Sequence, residues 1–307
     1  MSEKTPLTLP EDILIIDDMH LGRPHVIASY LLLGDEPAIV DPGPASTLAN
    51  LEAGLAAHGL RGEDLRHIVL THIHLDHAGA TGTLVRRYPQ LRAYVHARGA
   101  PHMLAPERLV QSATRIYGDQ MERLWGEFAA VPAERLTILH GGETLRLGGR
   151  ALRAFDAPGH ASHHLIYLDE GSGALFMGDN AGVSLPDRPV PRPATPPPDI
   201  DLEAWGRTLD LAEQLRPALL LLAHFGPAYA PGAYLADYRA ALARWSEAVR
   251  AGLRSGASEA EQLAALRELA LADLGATTAT ARELFEQASS VEMNWQGLAR
   301  YWRKREG

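Results

Sequence analysis

Six residues constrain this chain more than any others: His72-Ile73-His74-Leu75-Asp76-His77. They follow His67–Thr71, a short apolar run of the kind that forms a buried strand. Alternate side chains of an extended segment point the same way, so His72, His74 and Asp76 can be aimed at one place. Imidazole nitrogen and carboxylate oxygen suit zinc at roughly 2.0–2.2 Å, and they also suit manganese or iron. A lone histidine is most often a core or surface residue. Three histidines and an aspartate this close together, delivered by a buried strand, point instead to a metal centre. Three further candidates lie downstream: His160 after the turn Pro158-Gly159, Asp179 at the end of an apolar strand, and His224 at the end of a leucine-rich one. The chain has no cysteine, which excludes disulfides, thiol nucleophiles and thiolate ligands and leaves nitrogen and oxygen to build any site.

The surroundings alternate between strand and helix patterns, which argues for layered α/β architecture. Asp12–Asp17, His25–Leu33 and Ala38–Asp41 read as strands, with Gly34-Asp35-Glu36-Pro37 turning between the last two. A helix is expected from Ser46 to about Gly59, with Ser46 or Thr47 as its N-cap and Gly59 closing it. Gly82–Tyr88 reads as helix, Ala93–His96 as strand, and Arg135–Met177 again as β-rich. The segment from Gly99 to Pro132 is mostly helical and carries Met103, Tyr117, Met121, Trp125 and Phe128. It suits a lid or an ordinary surface helix pair equally well; Tyr117 and Trp125 are its candidates for substrate contact. Leu185–Pro198 holds seven prolines and is expected to be a stiff extended loop. From about Tyr234 the chain is helical and alanine-rich. The expected division is a catalytic domain over 1–230, with the helical insertion at 99–132, and a helical C-terminal extension over 231–307. A faint echo relates the two halves: Ala38–Gly43 to Leu175–Asn180, and His67–His72 to Leu219–His224.

At 307 residues the chain can bury a substantial core, and its net charge of −9 disfavours a nucleic-acid binder. The apolar stretch Ala218–Ala223 is far shorter than the ~20 residues a bilayer span needs. Met1–Pro10 lacks a basic patch followed by an apolar run, so no secretory signal is expected. The expectation is a cytoplasmic protein with a small-molecule substrate and no nucleic-acid or membrane partner, with a homodimer left open.

Taken in order, the motifs resemble the metallo-β-lactamase superfamily: an early strand ending at Asp41, then His72-x-His74-x-Asp76-His77, then His160, Asp179 and a last His224. The resemblance covers roughly residues 12 to 228 and is specific for fold and metal site, not for substrate. It implies an α+β fold, a four-layer αβ/βα sandwich with the site at one edge of two facing sheets. It also implies that His72, His74 and His160 hold one metal ion, that Asp76, His77 and His224 hold a second, and that Asp179 bridges them. Two divalent ions, zinc foremost with manganese or iron as substitutes, would share a bridging hydroxide that attacks an ester, thioester, lactone or phosphoester bond. In that scheme Asp76 is a ligand first and a proton shuttle second, while Asp41, His163 and Thr71 are candidates to orient the imidazoles. The wording around His72–Gly79 and Pro158–His164 is similar to a subgroup of prokaryotic hydrolases whose substrates the resemblance does not specify.

Several activities of that superfamily fit poorly. Lactonases carry a tyrosine three residues after the bridging aspartate, where this chain has Gly182. Hydroxyacylglutathione hydrolases use a basic C-terminal cluster; Arg300, Arg303, Lys304 and Arg305 are basic but read as a solvated end. The rival from another class is a di-iron redox or oxygen-sensing protein on the same ligands, since histidine and carboxylate also suit iron.

Overall fold

The computed structural model describes residues 8–185, 188–275 and 278–306. Most of the segment on which the absence of a secretory signal was judged lies outside these residues, as do two residues of the proline-rich stretch.

Two sheets face each other. The first has six strands in sequential order: β1 (Ile13–Asp17), β2 (Ala28–Leu32), β3 (Ala38–Val40), β4 (His67–Val69), β5 (Arg92–His96) and β6 (Leu136–Leu139). The second contains β7 (Thr144–Leu147), β8 (Arg150–Asp156), β9 (Leu165–Asp169), β10 (Ala174–Leu185), β11 (Arg188–Arg192), β12 (Leu219–His224) and β13 (Gly226–Ala228). Its order is β13-β12-β10-β9-β8-β7, with β11 paired to β10. Helices α1 (Leu48–Ala57), α2 (Leu75–Ala78), α3 (Thr81–Arg87), α4 (Ala100–Leu104), α5 (Glu107–Tyr117) and α6 (Met121–Trp125) belong to the first half. The second half has α7 (Leu202–Gln214), α8 (Pro231–Ser255), α9 (Glu259–Leu274), α10 (Ala279–Ala288) and α11 (Val291–Glu306).

The central strands explain the layering. Along β12, Leu219 and Leu221 enter the core between the sheets, while Leu220 and Leu222 enter a second core shared with α7, α8 and α11. Along β3 and β4, Val40 and Val69 face the inter-sheet core, whereas Ile39 and Ile68 face a third core under α1 and α3. Strands buried on both faces need apolar residues at every position, so they read as continuous runs rather than alternations. Three cores between four layers give the expected αβ/βα sandwich of an α+β chain. The C-terminal helices contribute Tyr234, Trp245, Trp295 and Leu298 to the same core as β10 and β12.

The internal echo has a structural counterpart. β3 and β4 are parallel neighbours in one sheet, with Ile39 opposite Ile68, and β10 and β12 are parallel neighbours in the other, with Leu175 opposite Leu220. Two tyrosines tie the halves across the sandwich: Tyr30 donates to the Leu222 carbonyl at 2.6 Å and Tyr167 to that of Leu70 at 2.7 Å.

Two local expectations need correction. The helix predicted from Ser46 begins at Leu48, after a 3₁₀ turn. Thr47 does stand at the N-cap position, but neither hydroxyl bonds the first turn: Thr47 Oγ1 donates to Pro44 O and Ser46 Oγ to Leu124 O, tying the turn to α6. The proline-rich segment is not simply a loop. Arg188–Arg192 form β11, which among the described residues pairs only with β10, and such a one-sided strand tolerates proline on its unpaired edge. Ala194 and Thr195 beyond it are buried. In the insertion, Met103 and Phe128 are buried, and Tyr117, Met121 and Trp125 lean on the same core as α1 and α3. No helix among the described residues is long and apolar enough to cross a membrane.

Candidate metal centre

The ligand run works by dividing its side chains between core and site. After β4, Ile73 and Leu75 plunge into the core at 1% and 7% exposure. The intervening His72, His74 and Asp76 therefore turn the other way, and the helical turn of α2 swings His77 in beside them. His160 arrives from the β8–β9 connection, Asp179 from within β10, and His224 from the last residue of β12. All seven nominated residues converge. Their donor atoms fall into three overlapping trios able to hold a metal ion: His72, His74 and His160; His72, His77 and Asp179; and Asp76, His77 and His224. Within each trio the atoms lie within 4.8 Å of one another.

Asp179 lies between two groups of imidazoles. Its Oδ1 is 3.2 Å from His77 Nε2 and 3.4 Å from His224 Nε2, while its Oδ2 is 3.4 Å from His160 Nε2. Asp76 Oδ2 lies 3.4 Å from His224 Nε2 and 3.7 Å from His77 Nε2. The nitrogens His160 Nε2 and His74 Nδ1 face each other at 2.9 Å. His72 Nε2, His77 Nε2 and Asp179 Oδ1 are buried without any hydrogen-bond partner. Orphaned buried acceptors are costly, by ~1–3 kcal/mol each, and a divalent cation is the partner this nitrogen-and-oxygen set fits. His74 and Asp76 are only partly covered, and they mark the side from which solvent reaches the centre.

Four of the five imidazoles have their other ring nitrogen engaged. His160 Nδ1 donates to Ala194 O at 2.8 Å, His224 Nδ1 to Val26 O at 2.6 Å and His77 Nδ1 to Asp41 Oδ2 at 3.0 Å. His72 Nδ1 lies 3.1 Å from Thr71 Oγ1, whose hydroxyl donates to Asp41 Oδ2 at 2.6 Å. Asp41 also accepts from Thr71 N at 2.8 Å, and its backbone sits in the left-handed region at φ 50°. One strained carboxylate thus orients two imidazoles, so each turns Nε2 inward. Replacing Asp41 by alanine is expected to weaken metal affinity ~10–100-fold, measurable by competition with a chelator.

Electrostatics divide the centre. Burial pushes His72 well below the imidazole range, helped by His77 and His74, and it pushes His74 down to about 3. Burial also lowers His160 despite the pull of Asp179. Burial disfavours charge on His77 and His224 too, yet Asp179 and Asp76 outweigh it and raise both. Conversely, burial would raise the two aspartates, but His77 and His224 hold both below the usual carboxylate range. Imidazoles whose proton affinity burial lowers on one side, and carboxylates on the other, both suit cation binding.

The remaining nominated residues divide. Asp41 and Thr71 bond to ligands as described. His163 does not: its ring packs 6.1 Å from His72 and 5.6 Å from His74, and its Nδ1 has no partner. Burial pushes His163 down to about 3, which makes it a neutral packing group beside the site. Tyr117 and Trp125 meet edge to face at 5.2 Å. Burial raises the Tyr117 hydroxyl, and the charge of Asp76 adds to the effect. Sequence reasoning missed His20, whose ring stacks on Trp125 at 5.3 Å and whose Nε2 donates to Leu124 O at 2.9 Å. It also missed His164 and Asn180. Asp179 N donates to His164 Nε2 at 3.2 Å, and Asn180 Oδ1 accepts from His160 N at 3.2 Å. Gly178 stands at φ +50°, and a Cβ there would come within 2.6 Å of both His164 and Thr71. The adjacency of His163 and His164 to the Gly-His motif was the available signal; choosing between them needed the fold.

Residues 22–224 match the sequence model of the metallo-beta-lactamase superfamily, more than half of the chain. The chain belongs to that superfamily. Among its relatives in the superfamily, the metallo-beta-lactamase fold-containing protein ST1585 of Sulfurisphaera tokodaii is 27% identical over 66% of this chain and 74% of its own length. A hydroxyacylglutathione hydrolase of a Synechococcus species is 30% identical over 52% of this chain and 51% of its own. An atrochrysone carboxyl ACP thioesterase of Pseudocercospora fijiensis is 28% identical over 39% of this chain and 26% of its own. The chain thus spans about half of the hydrolase and a quarter of the thioesterase. A solved metallo-beta-lactamase family protein from Thermus thermophilus, TTHA1429, superposes with a TM-score of 0.72 at 23% identity, covering 97% of this chain and 95% of that one. The shared fold therefore extends through the C-terminal helices.

Proposed function

We propose that this member of the metallo-β-lactamase superfamily is a hydrolase using two divalent metal ions, zinc foremost, on an ester or thioester of a small molecule. The observation that carries the reading is the split carboxylate of Asp179, with one oxygen on the His77–His224 side and the other toward His160. His72, His74 and His160 would hold one ion, Asp76, His77 and His224 the other, and Asp179 would touch both. Bound ions would supply Lewis acidity and a water acidified toward neutral pH. The chain's own residues do the rest. Asp41 and Thr71 lock imidazole orientation, and Asp76, at the open side, is the carboxylate placed to accept a proton. Tyr117 and Trp125 pack edge to face in the insertion, with Tyr117 near enough to Asp76 to feel its charge, and would contact the apolar part of the substrate. An open-chain ester or thioester is favoured over a lactone or phosphoester by the hydroxyacylglutathione hydrolase and thioesterase among the relatives.

Metal-replete protein is expected to contain about two equivalents of zinc, manganese or iron by elemental analysis. His74→Ala should lower ester or thioester turnover by at least ~10²-fold. One ion or none would reject the binuclear reading, unchanged turnover in His74→Ala would reject the hydrolytic one, and an iron absorption band that changes with redox state would replace it with the sensor.

A further inference from the structure

One carbonyl links the C-terminal helices to a nominated metal ligand. His160 turns its Nε2 inward because its Nδ1 donates to Ala194 O at 2.8 Å. That carbonyl lies on the segment after β11, which makes no regular ladder of its own. Residues of the α10–α11 junction grip the segment on both sides of Ala194. Ser289 Oγ donates to Pro193 O at 2.8 Å. Asn294 Oδ1 accepts from Thr195 N at 2.5 Å and from Thr195 Oγ1 at 2.7 Å. The Asn294 amide is itself fixed, because its Nδ2 donates to Ser289 Oγ at 2.7 Å and to Ser290 O at 2.9 Å. Asn294 is 1% exposed and Thr195 0%, so water cannot replace these bonds without opening the interface. One turn further, α11 runs so close that a Cβ on Gly297 would lie 1.9 Å from Thr195 O.

We propose that Asn294, supported by Ser289, is a positioning residue for the metal centre, and that the C-terminal helical extension is part of the ligand-orienting apparatus. This rests on the reading of His160 as a ligand of one of two ions. The physical reason is that a hydrogen bond orients an imidazole only as firmly as its acceptor is held. Losing such an outer partner commonly costs ~10–100-fold in metal affinity. The loss should also be one-sided. Asn294 acts through His160, which belongs with His72 and His74, whereas His77 is oriented by Asp41, which also reaches His72 through Thr71, and His224 by Val26.

The test is zinc binding to full-length protein by chelator competition, with cobalt substitution and its visible spectrum as a reporter of geometry. In Asn294→Ala one ion should weaken by roughly tenfold or more, with the other within about twofold of wild type, and the cobalt spectrum should change. Equal affinity for both ions in Asn294→Ala and wild type would overturn the proposal. So would parallel weakening of both ions together with a lowered Tm, the mark of a merely structural role. If Asn294→Ala fails to fold, Ser289→Ala carries the same one-sided expectation with a smaller loss, and two unchanged affinities there would overturn it. Wild-type protein that takes up a single zinc would instead overturn the two-ion reading, a result obtained before any variant is measured.

Discussion

Asp179→Ala is expected to reduce bound metal from about two equivalents to one or fewer and to cut hydrolysis by ~10²–10³-fold or more. The residue is 4% exposed and takes its place from β10, where Gly178 at φ +50° leaves room for His164 and Thr71. Its two oxygens face different imidazole groups, so no other side chain can take over both contacts. Removing it also leaves His77 and His224 with Asp76 as their sole nearby carboxylate on that side, which weakens attraction for any cation. Asp179→Asn keeps the shape and removes the charge. Retention of both ions in the asparagine variant but not in alanine would show that geometry dominates; loss in both would show that charge does. Two retained ions and full turnover in Asp179→Ala would refute the bridging role outright. Elemental analysis and steady-state kinetics on the same preparations decide the matter.

Trp205→Ala is expected to be the most destabilising single change in the second half of the molecule. Trp205 is fully buried in the core that joins β10 and β12 to the C-terminal helices. Truncating a buried tryptophan costs ~3–5 kcal/mol, and leaving the Asn180 carbonyl without its donor adds ~1–3 kcal/mol. That bond, Trp205 Nε1 to Asn180 O, is 2.9 Å long. With an unfolding entropy of ~2.1 cal/mol/K per residue, each kcal/mol shifts Tm by ~1.5 °C in a chain this long, so Tm should fall by roughly 6–12 °C. Metal affinity should fall too, because the indole packs against Gly159 and meets the His160 ring at 5.8 Å and 88°. A Tm drop under a few degrees by calorimetry would show that the core collapses around the void far better than this packing implies.

Much of this centre is legible without coordinates, and the reason is chemical. Metal ligation needs particular atoms, so the candidate ligands His72, His74, Asp76, His77, His160, Asp179 and His224 stand out by residue type, whichever strand, turn or helix carries them. The strands that carry them are buried on both faces, so they announce themselves as apolar runs. Helix boundaries were less legible at Ser46 and Thr47, because a hydroxyl that can cap a helix can equally donate to a neighbouring carbonyl. The proline-rich segment misled for a related reason: proline forbids a ladder bond on one edge but not a strand at the other.

The sequence by itself determined which atoms could bind metal and which strands would bring them to one edge of the sandwich. Only the tertiary structure decided what holds those atoms in place. Val26 and Ala194 act through backbone carbonyls, and every residue type has one of those, so no pattern of side chains could single them out. Likewise nothing near Asn294 in the chain distinguishes it from any polar residue on a helix. Its link to His160 exists because folding brings α11 against a segment about a hundred positions earlier, and contacts across that separation leave no local trace.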